Sequence, residues 1–273
     1  MKQILNNCVV RSFALLCLLS FTLLLGADEG RIFNARLISN TKVNCIVQDK
    51  KGFIWLGTNY GVNRYDGYNF VTYRYNKQDT TSIVDNEITT FLNDKEGRLW
   101  VGSAHGLMRY EAATNSFKRF SFPLSLRPRV KGIIEDAHGN IFVGTSGFGL
   151  FLIRRGSDHL ESFIGNEVKP KSIFFDLIFL DEQGAIWQGD QSERIVRWVM
   201  KGHRKLSRQE IVSPVGIPVA FFSEGRGRIV VVCTKGLFRY DLNRNLILQP
   251  FKSDAILPAC IDIISATRDR KGN

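Results

Sequence analysis

Asp94-Lys95-Glu96-Gly97-Arg98-Leu99-Trp100-Val101-Gly102-Ser103-Ala104-His105-Gly106-Leu107-Met108-Arg109-Tyr110 decides how this chain is read. An earlier copy runs Asp49-Lys50-Lys51-Gly52-Phe53-Ile54-Trp55-Leu56-Gly57-Thr58-Asn59-Tyr60-Gly61-Val62-Asn63-Arg64-Tyr65. The acid, Gly52/Gly97, Trp55/Trp100, Gly57/Gly102 and a terminal tyrosine fall at the same offsets. Weaker copies open at Asp136 (Gly139, Phe142), Asp181 (Gly184, Trp187) and Glu224 (Gly227, Val230), and the beginning of another at Asp269. The openings recur every 42–45 residues. A period of roughly 40–45 residues is the mark of a propeller blade of four strands.

One unit reads as four strands. Val43 to Gln48 is β-prone. Asp-x-x-Gly then turns the chain, since Asp bonds the backbone two residues on and Gly supplies positive φ. Phe53–Leu56 is apolar on both faces, as a sheet covered on both sides requires. Val62–Tyr65 and Phe70–Tyr75 complete the unit, with no room for a helix. The fold expected is all-β: a β-propeller of four-stranded antiparallel blades, five of them and the start of a sixth. The tryptophans are read as packing between blades, and the repeated acids as turn caps. An unclosed ring leaves apolar faces uncovered, so marginal stability is expected.

Residues 1–27 differ. Lys2 and Arg11 precede an uncharged run, Ser12–Leu25, that suits a signal peptide better than a membrane span of ~20 residues. Gly26-Ala27 offers a cleavage site, with an uncleaved anchor as the alternative. Residues 28–273 are then the exported domain. The formal net charge of +11 is compatible with anionic ligands, but the basic residues are spread over all repeats. No basic-aromatic nucleic-acid motif is present, so no nucleic acid is expected as partner. Cys45, Cys233 and Cys260 lack metal-site spacing, and their odd number argues against a full disulfide framework. The four histidines, His105, His138, His159 and His203, are dispersed. No cofactor or metal fingerprint is found.

In a four-stranded meander the links between blades and the turns between second and third strands share one face. The Asp-x-x-Gly turns lie on the other. The links Asn76–Asn86, Phe122–Arg129, Asn166–Lys171, Val212–Pro218 and Lys252–Pro258 vary in composition, so the first face is the expected ligand face. Its candidates are Asn59, Tyr60, His105, Phe148, Asp190, Glu193 and Lys235. The fourth repeat departs most, with Asp190-Gln191-Ser192-Glu193-Arg194 in place of a small glycine turn and Trp198 one place past the tyrosine slot.

The stretch Asp49–Gly67, with Ser39-Asn40 before it, resembles the opening blade of the two-component regulator propeller family. Ser82-Ile83 and Asn86 are similar to its first link between blades, and the Asp94 copy to its interior repeat. The likeness runs over residues 31–273 and fades at Glu224, Val230 and Val232-Cys233, which replace Asp, Trp and Gly-Thr. The resemblance implies the exported sensor region of a hybrid two-component regulator of Bacteroidetes-type bacteria, answering to oligosaccharides. In that family two seven-bladed propellers usually precede a β-sandwich, a membrane span, a kinase, a receiver and a helix-turn-helix. This sequence holds no kinase or receiver motif, so it reads as the N-terminal part of such a sensor and not as an enzyme. The partners implied are an oligosaccharide or other small ligand, the remaining blades and kinase of the parent, and a second copy in a homodimer. The location implied is periplasmic, tethered to the inner membrane through the rest of the parent. The alternatives are a free-standing secreted scaffold, or a propeller glycosidase or lyase using Asp190 and Glu193. Glycoside hydrolysis needs two carboxylates about 5–10 Å apart across the bond, and these two share one loop.

Overall fold

The computed structural model describes residues 38–40, 42–164, 176–201, 205–248 and 251–252. The leader, His203, Cys260 and the Asp269 opening lie outside them. Five antiparallel sheets follow in chain order. The first is β1 (Val43–Gln48), β2 (Ile54–Thr58), β3 (Gly61–Tyr65) and β4 (Phe70–Tyr73). The second is β5 (Ile88–Asn93), β6 (Leu99–Ser103), β7 (Gly106–Glu111) and β8 (Ser116–Phe120). The third is β9 (Val130–Glu135), β10 (Ile141–Thr145), β11 (Gly149–Ile153) and β12 (Leu160–Ile164). The fourth is β13 (Leu177–Leu180), β14 (Ile186–Gly189), β15 (Arg194–Lys201) and β16 (Lys205–Val212). The fifth is β17 (Pro218–Gly225), β18 (Arg228–Cys233), β19 (Gly236–Asp241) and β20 (Leu246–Ile247), and β21 (Phe251–Lys252) also pairs with β19.

Each sheet is a meander, and first strands of successive sheets lie beside one another: β1 with β5, β5 with β9, β9 with β13, β13 with β17. The sheets are therefore propeller blades in sequence order. Their cores lie between blades. Trp55 and Val62 meet Ile88 and Phe117, and Trp100 and Phe120 meet Val143 and Phe151. Phe142 and Leu152 meet Ile186, and Trp187 and Ile195 meet Phe221 and Phe238. Trp55, Trp100 and Trp187 are 0%, 1% and 0% exposed. Each such ring removes roughly 200 Å² from water, about 5 kcal/mol before ordering entropy is counted.

The glycine after each blade tryptophan has a packing reason. A Cβ on Gly57 would stand 2.7 Å from Ile88 Cγ2 and 2.4 Å from Cys45 Sγ. One on Gly102 would stand 2.6 Å from Val130 Cγ1. The missing side chain lets the first strand of the next blade approach.

Three details differ from the sequence reading. Strand β2 starts one residue later than Phe53 and runs on to Thr58. The second link contains a short 3-10 turn, Pro123–Ser125, despite the expectation of no helix. In the fifth blade Glu224 lies inside β17, and Gly225-Arg226-Gly227, all at positive φ, make the turn. The longer Glu224 side chain pairs instead with Arg239, at 2.9 Å. Cys45 and Cys233 are free thiols, and burial pushes Cys45 up to about 12.

Candidate functional site

The repeated acids spend their carboxylates on the turn and on the tryptophan. Asp49 Oδ1 accepts the amides of Lys51 and Phe53, at 2.9 and 3.0 Å, and its Oδ2 accepts Trp55 Nε1 at 2.8 Å. Asp94 accepts the Arg98 amide and Trp100 Nε1, both at 2.8 Å. Asp181 repeats the pattern with Gln183, Ala185 and Trp187 Nε1. The Phe142 ring has no N–H, and in that blade Asn140 Nδ2 donates to Asp136 Oδ2 at 2.8 Å. Burial pushes the Asp94 carboxyl up, but bonds from Trp100, the Arg98 amide and the Arg98 guanidinium outweigh it and hold it below its ordinary value.

Opposite each tryptophan, on the third strand, stands an arginine: Trp55 with Arg64, Trp100 with Arg109, Trp187 with Arg197. Their guanidiniums lie 5.7, 5.4 and 5.8 Å from the ring centroids, within cation–π range. Sequence reasoning missed this pairing. The signal was available, because the arginines stand nine residues past the first two tryptophans and ten past the third.

All seven candidate residues fall in the turns between second and third strands. Asn59 and Tyr60 join β2 to β3, and Asn59 Oδ1 accepts Asn44 Nδ2 at 2.7 Å. Tyr60 is 57% exposed. His105, between β6 and β7, is exposed and pairs through Nδ1 with Asp85 Oδ2 at 2.7 Å. Phe148 precedes β11 and packs half-buried on the apolar cluster between blades two and three. Asp190 Oδ1 accepts the Ser192 amide at 2.8 Å, and Glu193, in the same turn, is exposed. Lys235, between β18 and β19, is exposed. Each blade thus contributes separately to one rim, and no bond links a candidate of one blade to a candidate of another among the described residues.

The links supply what sequence reasoning passed over. Asp85 holds His105 and also accepts the Glu87 amide at 2.7 Å. Glu87 pairs with Arg129 at 2.5 Å, and that hydrogen bond holds the Glu87 carboxyl below its ordinary range. Lys131 and Asp176 pair at 3.0 Å. Arg119 Nε donates to Ser82 O and its Nη2 to Asp79 O, both at 2.9 Å, which fastens the long first link to β8. A cleft of about 310 Å³ beside His105 and Arg119 and another of about 300 Å³ beside Lys131 and Asp190 open on this rim. A third, of about 470 Å³, opens on the Asp-x-x-Gly side between blades one and two. Among the described residues no group of His, Cys, Asp and Glu is suited to holding a metal, and no helix is long and apolar enough to cross a membrane.

The sheets and their order define a β-propeller. The two component regulator propeller family model matches residues 37–60 and 82–105, within the first two blades. Both matched stretches end at the rim turns, at Tyr60 and His105. A histidine kinase P4 of Formosa agariphila is 48% identical over 46 residues, 17% of this chain and 3% of that protein. The extracellular domain of a hybrid two component system from B. thetaiotaomicron has a similar structure, with a TM-score of 0.54 and 18% identity over 87% of this chain and 40% of that one. Virginiamycin B lyase from Staphylococcus aureus, crystallised with quinupristin, superposes with a TM-score of 0.60 and 16% identity over 79% of this chain and 72% of that one. At such identities these two likenesses carry the fold. The chain spans a small part of the kinase it matches.

Proposed function

We propose that this chain is the ligand-sensing propeller of an extracytoplasmic two-component sensor, that it recognises an oligosaccharide, and that it biases a kinase in a longer parent chain. The observation that carries the reading is the rim. Turns and links of four blades set Asp85–His105, Glu87–Arg129, Lys131–Asp176 and Asp190 along the end of a rigid scaffold that bears the family's repeats. Paired, hydrogen-bonded side chains are fixed forks for hydroxyl groups, and exposed Tyr60 offers a flat ring. Residues 1–27 direct export in this reading, and the parent is held at the inner membrane beyond the blades. Sugar binding would favour one arrangement of the domain or of a homodimer, and so one kinase state.

The test is a panel of oligosaccharides read by thermal unfolding. A ligand at a hundred times its Kd adds about 2.7 kcal/mol, which is a rise of several degrees in Tm. A rise for at least one oligosaccharide, with no cleavage of it, is expected. No rise across the panel, with a partner protein retained instead, would favour a scaffold. Cleavage that disappears in Glu193→Gln would make the protein an enzyme.

A further inference from the structure

Four arginines share this third-strand slot, facing Trp55, Trp100, Trp187 and Val230, and they do not end alike. Arg109 meets Glu111 at 2.8 Å and Asp158 at 3.1 Å. Arg197 meets Asp181 and Arg239 meets Glu224, each at 2.9 Å. Arg64 ends on a neutral phenol, donating from Nη1 to Tyr110 Oη at 2.7 Å. No carboxylate among the described residues lies within ion-pair distance of it. It is half-buried, with its guanidinium 4.9 Å from the Phe53 ring centroid and 5.7 Å from that of Trp55. Guanidinium has five N–H donors in a planar fork, and the bond to Tyr110 occupies one of them.

Arg64 lines the 470 Å³ cleft between blades one and two, and Lys50 and Lys51 line it too. The carboxylates in its wall are already engaged. Asp49 holds Trp55 Nε1 at 2.8 Å, Glu96 meets Arg98 at 3.1 Å and Arg155 at 3.2 Å, and Glu111 holds Arg109. Asp66, just past β3, spends its Oδ1 on the amides of Tyr68 and Asn69, and its charge acts on Arg64 from beyond ion-pair distance. The cleft therefore keeps three cations without a carboxylate among the described residues, Arg64, Lys51 and Lys50, beside an aromatic face, and of these Lys50 Nζ donates to the Lys95 carbonyl. Its volume suits a small ring-bearing ligand.

We infer that this cleft binds an oxyanion carried on such a ring, a carboxylate or sulfate, with Arg64 as its bidentate fork and Lys50 and Lys51 at its mouth. Arg–carboxylate pairs of this kind are shorter and stronger than neutral bonds. The site is on the opposite side of the blades from the rim, so it does not rest on the oligosaccharide reading above.

Calorimetry of the whole chain at low ionic strength tests it, with glucuronate, inorganic sulfate and glucose as probes. Saturable binding of glucuronate and none of glucose is expected. Arg64→Gln should weaken binding at least about tenfold, and Lys51→Glu about threefold. Arg244→Glu, at an exposed turn of the fifth blade, should leave it unchanged. Lys51 is exposed, so its variant carries the test if loss of Arg64 disturbs the fold. Sulfate binding alone, still lost in the same variants, would keep the site and assign it to a free oxyanion. No saturable binding of either anion, or binding indifferent to both variants, would overturn the inference.

Discussion

The second and third blades solve the same problem with different residues. In the second, Asp94, Trp100 and Arg109 form one stack: the acid takes the indole N–H, and the guanidinium covers the ring. In the third, the corresponding slots hold Asp136, Phe142 and Leu152, and Phe142 faces Leu152 across the sheet. One acid oxygen is constant in both, because it satisfies turn amides. The second oxygen accepts whatever donor the sequence supplies, an indole in one blade and Asn140 in the other. The turn is what the fold requires. The tryptophan and arginine are one way of covering it.

The comparison predicts unequal losses. Asp94 is 2% exposed and bonds an indole, an amide and the Arg98 guanidinium. Asp94→Ala leaves them unpaired and should cost about 3–5 kcal/mol. Asp136 holds neutral partners on its side-chain oxygens, so Asp136→Ala should cost about 1–3 kcal/mol. Urea midpoints measure both, and equal losses would break the comparison. Next come the glycines. Gly102→Ala drives a Cβ to 2.6 Å from Val130 and should cost about 1–3 kcal/mol. Gly189→Ala meets Pro218 at 3.0 Å and should cost about 1 kcal/mol or less. A Gly102→Ala protein as stable as the parent would remove the close approach of blades as the reason for that glycine.

The smallest effect expected is the response to acid. The folded Asp94 carboxyl lies below its ordinary value of 3.8. Its contribution to stability is therefore full above the unfolded value and fades as pH falls through the folded one. Asp94→Asn should flatten the part of the stability curve below about pH 4 that this group supplies. An acid limb of unchanged slope would show that other carboxylates govern it.

Most of the blade plan was legible. The 42–45-residue spacing, Asp-x-x-Gly turns and buried tryptophans are local signals, and they point to the same fold at every copy. The fifth turn was misplaced because Glu224 keeps the charge of the repeat but not its reach, and the glycines on either side of Arg226 turn the chain instead. The rim was half legible. Turn positions follow from strand order alone. The polar pairs do not, because Glu87–Arg129 and Lys131–Asp176 join residues about one repeat apart, and no short motif records them.

In the proposed reading the oligosaccharide is held on the rim. Hydrogen exchange on the chain with and without a bound neutral oligosaccharide tests it most directly. Protection is predicted at 59–60, 85–87, 104–105 and 190–193, with the turns at 49–52, 94–97 and 181–184 unchanged. Protection confined to the Asp-x-x-Gly turns would place the ligand on the opposite face and contradict the account.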